Sequence, residues 1–356
     1  MYRDLTLGSI SRSLLLFALP MIAGNLLQQF YNIADTLIVG RALGSEALAA
    51  VGSAYTLMTF LTSIFLGLSM GSGALFSIYR GRGDESSLRL GIVHAFGLIL
   101  CVTLMLNAAV YLFLEPILRF LQVPESVAPG MREYLLIIFA GLLATSLYNY
   151  LSCLLRALGN STVPLVFLAV SAMLNIGLDL LFVLVFHWGI AGAAWATVIA
   201  QYVSGVGILR FFLAKCKHLL PKKKELHYDH AILKDIFQLS SLTCVQQSVM
   251  NFGILMVQGL VNSFGATVMA AFAAAVKIDT FAYLPVQDFG NAFSTFIAQN
   301  YGAGNRERLR EGTRKAFLLS FVFSAVISAM VVTFAETLMG LFVNASETAV
   351  VATGAH

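Results

Sequence analysis

The chain has 356 residues, of which 58% are hydrophobic and 11% charged, with a net charge of +4. A soluble globular chain carries roughly 25% charged residues, so this composition, with its mean hydropathy of +0.83, excludes an ordinary soluble domain and indicates a membrane protein. The small positive surplus does not indicate nucleic acid, because where the Lys and Arg sit matters more than their sum.

The N-terminus, MYRDLTLGSISRS, has no small-residue cleavage site after a short apolar core and is read as leading into a retained helix. Apolar runs of about 20 residues or more, enough for a hydrocarbon layer of roughly 30 Å, lie near Leu14–Val39, Leu48–Tyr79, Leu90–Leu114, Tyr134–Leu155, Val163–Phe186, Ile190–Leu213, Ile236–Val261, Met269–Ala298 and Phe317–Phe334. These are nine predicted spans, the second and eighth long enough to tilt, bend or project. Cys101, Cys153 and Cys244 fall in apolar runs and Cys216 in a basic loop, which is packing usage and not a secreted disulfide framework.

With the N-terminus in the cytoplasm, Arg3, Arg12, Arg80, Arg82, Arg89, Arg156, the Arg210–Lys234 cluster and Arg306–Lys315 all fall inside. Only Arg41, Arg119 and Arg132 fall outside, the imbalance expected of the positive-inside rule. The turn GRGDESSLRLGIVHAF from Gly81 recurs as GAGNRERLREGTRKAF from Gly302. Gly83 pairs with Gly304, Leu88 with Leu309, Gly91 with Gly312 and Phe96 with Phe317, and the same register pairs Gly44 with Gly265. An even number of spans separates the copies, so they cross the membrane in the same sense, as parallel transporter repeats do. The expected organisation is a six-helix lobe over residues 1–213, a basic cytoplasmic linker over 214–234 and a partial lobe of three helices over 235–356, with about three further helices expected beyond His356.

The first span carries Gln28, Asn32 and Asp35 on one face, although an acid at a helix centre costs about 2.5–3.5 kcal/mol on insertion scales. The fifth span places Asn175 and Asp179 one turn apart, and the sixth does the same with Thr197 and Gln201. Counting about 1.5 Å per residue puts Asp35, Asp179 and Thr197 at one level, roughly 7–11 Å below the outer surface, with Asn175 one turn deeper. Two carboxylates, an amide and a hydroxyl suit a small cation, and neighbouring acids that repel can hold a proton instead. The bland alternative is hydrogen-bonded helix glue.

In the second copy Met256 stands opposite Asp35 and Gly253 opposite Asn32, so the cation chemistry is expected in the first half alone. The second half offers Lys277, Asp279 and Asp288 around Pro285, and Gln246 and Gln247 in the seventh span, as candidates to line a cavity. Pro20 is expected to bend the first span. The motif GLSMG from Gly67, with His94 in the next span, fits a nucleophile elbow, but the segment reads as helix and its glycines as a packing face.

Taken together, Pro20 with Asp35, the turn at Gly81, RALGNSTVP from Arg156, NIGLD from Asn175, GIAGAAWAT from Gly189 and KIDTFAYLPVQDFG with AQNYGAG resemble the multidrug and toxic compound extrusion family, in its DinF-like bacterial branch. The resemblance implies an all-α multi-pass protein of the bacterial cytoplasmic membrane, built from two six-helix bundles around a shared cavity. It implies a monomer that acts on small organic cations in the bilayer, exchanges them for H⁺ or Na⁺, needs no cofactor, binds no nucleic acid and is not an enzyme. By position Asp35, Asn175, Asp179 and Thr197 match that branch's cation site, and Pro20 its bending helix. The NorM-like branch has acids in the seventh span, where this chain has Gln246 and Gln247. A rival within the superfamily, a lipid-linked saccharide flippase, requires a strongly cationic cavity, for which the spans offer Lys277.

Overall fold

The structure is a computed structural model that describes residues 3–120, 123, 125, 127–222, 224–262 and 266–340. Gly265, Lys223 and residues 341–356 lie outside the described residues, as do the side chains of Met256 and Lys277. Among the described residues the fold is all-α. The elements are α1 (Ile10–Leu43), α2 (Ser45–Arg82), α3 (Glu85–Phe120), α4 (Ala128–Ile138), α5 (Leu142–Ala157), α6 (Thr162–Asp179), α7 (Gly189–Lys215), α8 (His230–Asn262), α9 (Ala266–Gly302), α10 (Arg306–Thr333) and the short α11 (Ala335–Gly340).

Seven continuous helical stretches among the described residues are long and apolar enough to cross a membrane: α1, α2, α3, α4 with α5, α6 with the turn after it, α7 and α10. Helices α8 and α9, with 33 and 37 residues, occupy the seventh and eighth predicted spans. Two predicted spans are not plain α-helices. The fourth changes to a 3₁₀ turn over Phe139–Gly141, and the fifth continues past Asp179 as a π turn over Leu180–Val185. Gly141 leaves room for the Gln201 side chain, since a Cβ there would stand 2.0 Å from Gln201 Oε1. Neither irregularity has a Gly-Pro signature that periodicity would detect.

The sequence repeat reappears as repeated geometry. Gly83 and Gly304 end α2 and α9 with φ of 73° and 69°, a left-handed conformation cheap only for glycine. The next residues, Asp84 and Asn305, accept hydrogen bonds from Ser87 N–H (3.1 Å) and Arg308 N–H (3.2 Å), so each caps the following helix. Where α2 and α9 cross, a Cβ on Gly81 would lie 1.9 Å from the Gln299 carbonyl oxygen, and one on Gly302 2.1 Å from that of Ile78. Both pairs keep the repeat register (302 − 81 = 221; 299 − 78 = 221). This is a pseudo-twofold crossing that only glycine permits.

A large core joins α2, α3, α4, α5 and α7. A second core holds Leu5 and the first half of α1 (Ile10, Leu14, Phe17, Met21) against Phe289, Ala292 and Phe296 of α9 and Ala316 of α10. Just past Pro20, Gly24 turns to Leu165 and Leu168 of α6. Helix α1 therefore passes from one packing group to the other around Pro20, while remaining helical throughout.

The GLSMG motif lies inside α2, with the Ser69 hydroxyl donating back to the Phe65 carbonyl at 2.7 Å. Gly67 packs on Cys244 and Gly71 on Ser240 of α8, and the His94 ring accepts from Asp229 N–H at 3.2 Å. No strand-to-helix elbow exists there, so that reading fails.

Candidate functional site

A cavity of about 760 Å³ opens between α1, α2, α4–α7, α8 and α9. Its α1 wall is the stripe Pro20, Met21, Gly24, Asn25, Gln28, Tyr31, Asn32 and Asp35, which contains the Gln28–Asn32–Asp35 face expected to avoid lipid. Asn175, Thr197 and Gln201 line it from α6 and α7, Gln246 and Gln247 from α8, and Asp288 from α9.

The acids predicted to meet do so. The Asp35 and Asp179 side chains lie within hydrogen-bonding reach of each other. Asp35 faces the cavity, whereas Asp179 is fully buried behind it. Asn175, 2% exposed, donates from Nδ2 to Thr197 Oγ1 at 3.3 Å, and Thr197 donates on to the Ala193 carbonyl at 3.1 Å. That leaves Asp35 Oδ1, both Asp179 oxygens and Asn175 Oδ1 buried without a hydrogen-bond donor. Four unsatisfied acceptors at one spot are costly unless a cation or protons occupy it.

Two tyrosines complete the site and escaped the sequence reading. Tyr31 faces Asp35, Asp179 and Tyr55, and the Tyr134 hydroxyl lies within reach of Thr197. Tyr31 sits four residues before Asp35, a spacing that could have found it. Tyr134 comes from α4, whose placement only packing decides.

The second-half candidates separate. Gln246, Gln247 and Asp288 line the cavity, whereas Asp279 and Pro285 do not. The lining face of α9 runs through Tyr283, Gln287, Asp288, Asn291 and Ser294; Pro285 lies two residues off that stripe, about 200° around the helix from Tyr283. Asp279 is exposed, one turn beyond the cavity's edge, and Lys277 carries no described side chain. A further correction concerns Arg156, counted from sequence only as a topology charge: it lines the cavity as well. Its position at the last turn of α5 turns it inward.

Long apolar helices around a cavity with charged walls define a multi-pass membrane transporter, since such a cavity serves passage of a polar guest through hydrocarbon. The MatE family model matches residues 20–181 and 243–355, and the chain belongs to that family of multidrug efflux transporters. It is 33% identical over 347 residues to "Probable multidrug resistance protein YpnP" of Bacillus subtilis (strain 168), covering 96% of this chain and 76% of that protein. A second relative, "Probable multidrug resistance protein NorM" of Thermotoga maritima, is 24% identical over 94% of this chain and 73% of its own length. Among solved structures, one described as the outward-facing conformation of a multidrug resistance MATE family transporter superposes with a TM-score of 0.90 at 22% identity, over 98% of this chain and 77% of that one. A transporter from Pyrococcus furiosus, described by a reversed polarity of its binding pocket, superposes at 0.91 with 22% identity, over 99% of this chain and 78% of that one.

Proposed function

We propose that the protein is a secondary active antiporter that exports small organic cations in exchange for H⁺ or Na⁺, as a monomer in a bacterial cytoplasmic membrane with its N-terminus inside. The observation that carries this reading is the Asp35–Asp179 pair, three of whose four oxygens are buried without donors while Asp35 opens onto a cavity large enough for a drug-sized guest. Protons or a sodium ion entering from the outer side satisfy those oxygens, and Asn175 and Thr197 extend the oxygen set. Occupancy changes what the second half of α1 faces, and the change of packing partner around Pro20 supplies a place for it to move. The lobes 1–213 and 235–356, joined by the basic linker 214–234, then rock about the cavity, and substrate leaves because its affinity differs between the two states.

The flippase alternative needs concentrated positive charge to hold pyrophosphate. The described cavity walls carry Arg156 against Asp35 and Asp288, which does not favour it.

The test is ethidium movement in proteoliposomes driven by an imposed gradient, in sodium-free buffer across a pH series and then with sodium. Asp35→Asn should lower driven flux at least about tenfold, a loss of the kind expected when an interaction needed in the moving state is removed. Undiminished driven flux in that variant would refute the reading.

A further inference from the structure

The antiport reading leaves the other end of the cavity unused, and that end carries two opposite charges. Asp288 is 1% exposed. Its Oδ1 accepts from Asn25 Nδ2 at 2.6 Å, and Asn291 lies beside it one turn along α9. Its Oδ2 is buried, with the Asn291 amide beside the carboxylate but no hydrogen bond to this oxygen within 3.5 Å, although the residue lines the cavity. Arg156, on α5, lines the same cavity near enough for its charge to act on Asp288. Yet among the described residues no carboxylate lies within 4 Å of the Arg156 guanidinium. Asn25 is ten residues from Asp35, about 15 Å along α1, so this place is separate from the cation site.

Opposite charges held apart in a cavity walled by helices are each incompletely compensated. A guest that bridges them compensates both. Among the described residues the charged cavity-lining groups are Asp35, Arg156 and Asp288. A plain monocation satisfies Asp288 but meets repulsion from Arg156, and a plain anion meets repulsion from Asp288.

We infer that Asp288 and Arg156 form a bipolar subsite that, among the amine-bearing organic guests of the cavity, favours those that also carry a carboxylate, the ammonium going to Asp288 and the carboxylate to Arg156. The inference rests on the cavity being the substrate site, as proposed above, and names the class of substrate. Asn25 is a positioning residue that occupies one Asp288 oxygen and leaves the other for the ammonium. The guanidinium presents a planar fork matched to a carboxylate, which lysine lacks.

The matched probes are norfloxacin, a zwitterion at neutral pH, and its methyl ester, which keeps the amine and loses the acid. Binding is measured on purified protein by fluorescence titration without any ion gradient. The wild-type protein should bind the acid about tenfold or more tighter than the ester, a difference of about 1.4 kcal/mol. Arg156→Gln should abolish that preference by weakening the acid alone, with Arg156→Lys intermediate, and Asp288→Asn should weaken both probes. Equal binding of acid and ester to the wild-type protein overturns the inference, whichever variants fold. So does an equal loss for both probes in a well-folded Arg156→Gln. Because no gradient is used, failure of ion-coupled flux with acid preference intact would count against antiport and not against the subsite.

Discussion

At the scale of single residues, each exceptional side chain is explained by what it would otherwise leave unsatisfied. Asp35 Oδ1, both Asp179 oxygens and Asn175 Oδ1 are buried without donors, whereas the Thr103 hydroxyl, also within a span, is bonded to the Ile99 carbonyl at 2.7 Å and to Ser146 Oγ at 2.7 Å, as structural polar residues are. The caps outside the membrane show the ordinary use of an acid. The Ser87 hydroxyl and N–H, with the Ser86 hydroxyl, hold the Asp84 carboxyl below the usual carboxylate range. A depressed folded value means the stabilisation is present above the unfolded value of about 4 and is lost as pH falls through the folded one. Replacing Asp84 by Ala should therefore cost roughly 0.5–2 kcal/mol near neutral pH, the usual value of an N-cap. Thermal unfolding at pH 7 and at pH 3 checks this, since the difference between the two proteins should shrink in acid.

At the scale of elements, α1 and the α2–α9 crossing do different work. Helix α1 spends its first half in a tight core with α9 and its second half carrying Asp35 to α6 and α7. Pro20 removes one intrahelical hydrogen bond near the change of partner. The crossing behaves as a clamp because two glycines let carbonyls of the opposing helix approach to van der Waals distance. Gly302→Val should force the helices apart there, costing about 1–3 kcal/mol as overpacking does. In Met70→Cys protein, whose reporter lines the cavity, this change should speed labelling from the end of the molecule that bears the N-terminus. An unchanged labelling rate would mean that the crossing does not seal that end.

At the scale of the whole molecule, the N-terminal segment ties separate parts together. Leu5 is fully buried; its N–H donates to Gln299 Oε1 at 3.3 Å, and Gln299 Nε2 donates to the Ala157 carbonyl at 2.7 Å. Arg3 N–H donates to the Gly159 carbonyl at 3.0 Å, and Asn300 Nδ2 to the Leu5 carbonyl at 3.2 Å. Arg308 lies over the Phe296 ring and donates to the carbonyls of Leu5, Leu7 (2.9 Å) and Gly8 (2.7 Å). One short strap thus joins the α5–α6 turn, the end of α9 and the start of α10. Arg308→Lys keeps the charge but loses the fork, and the hydrogen bonds forfeited are worth about 1.5–3 kcal/mol each when charge-assisted. Amide exchange over residues 3–8 should rise by tenfold or more in that variant, by about 1.4 kcal/mol of lost protection per decade. Exchange unchanged in Arg308→Lys would mean the strap is held by Leu5 burial and the glutamine bridge alone.

How much was legible beforehand follows from the range of the forces involved. The membrane-length helices, the repeat and the oxygen-rich level of Asp35, Asp179 and Thr197 could be read from sequence because hydrophobic runs, helical rise and a bilayer of fixed thickness are one-dimensional constraints. The 3₁₀ and π breaks, Tyr134 and the inward turn of Arg156 could not, because each depends on which neighbour a helix meets. Helical periodicity fixes which face of α9 goes together, but only packing against α1 decided that Asp288 enters the cavity and Pro285 stays out. Sequence by itself thus determined the kinds of chemistry carried at each depth, and the tertiary structure alone decided which of those groups share one space, since lateral contact between helices has no counterpart in residue spacing.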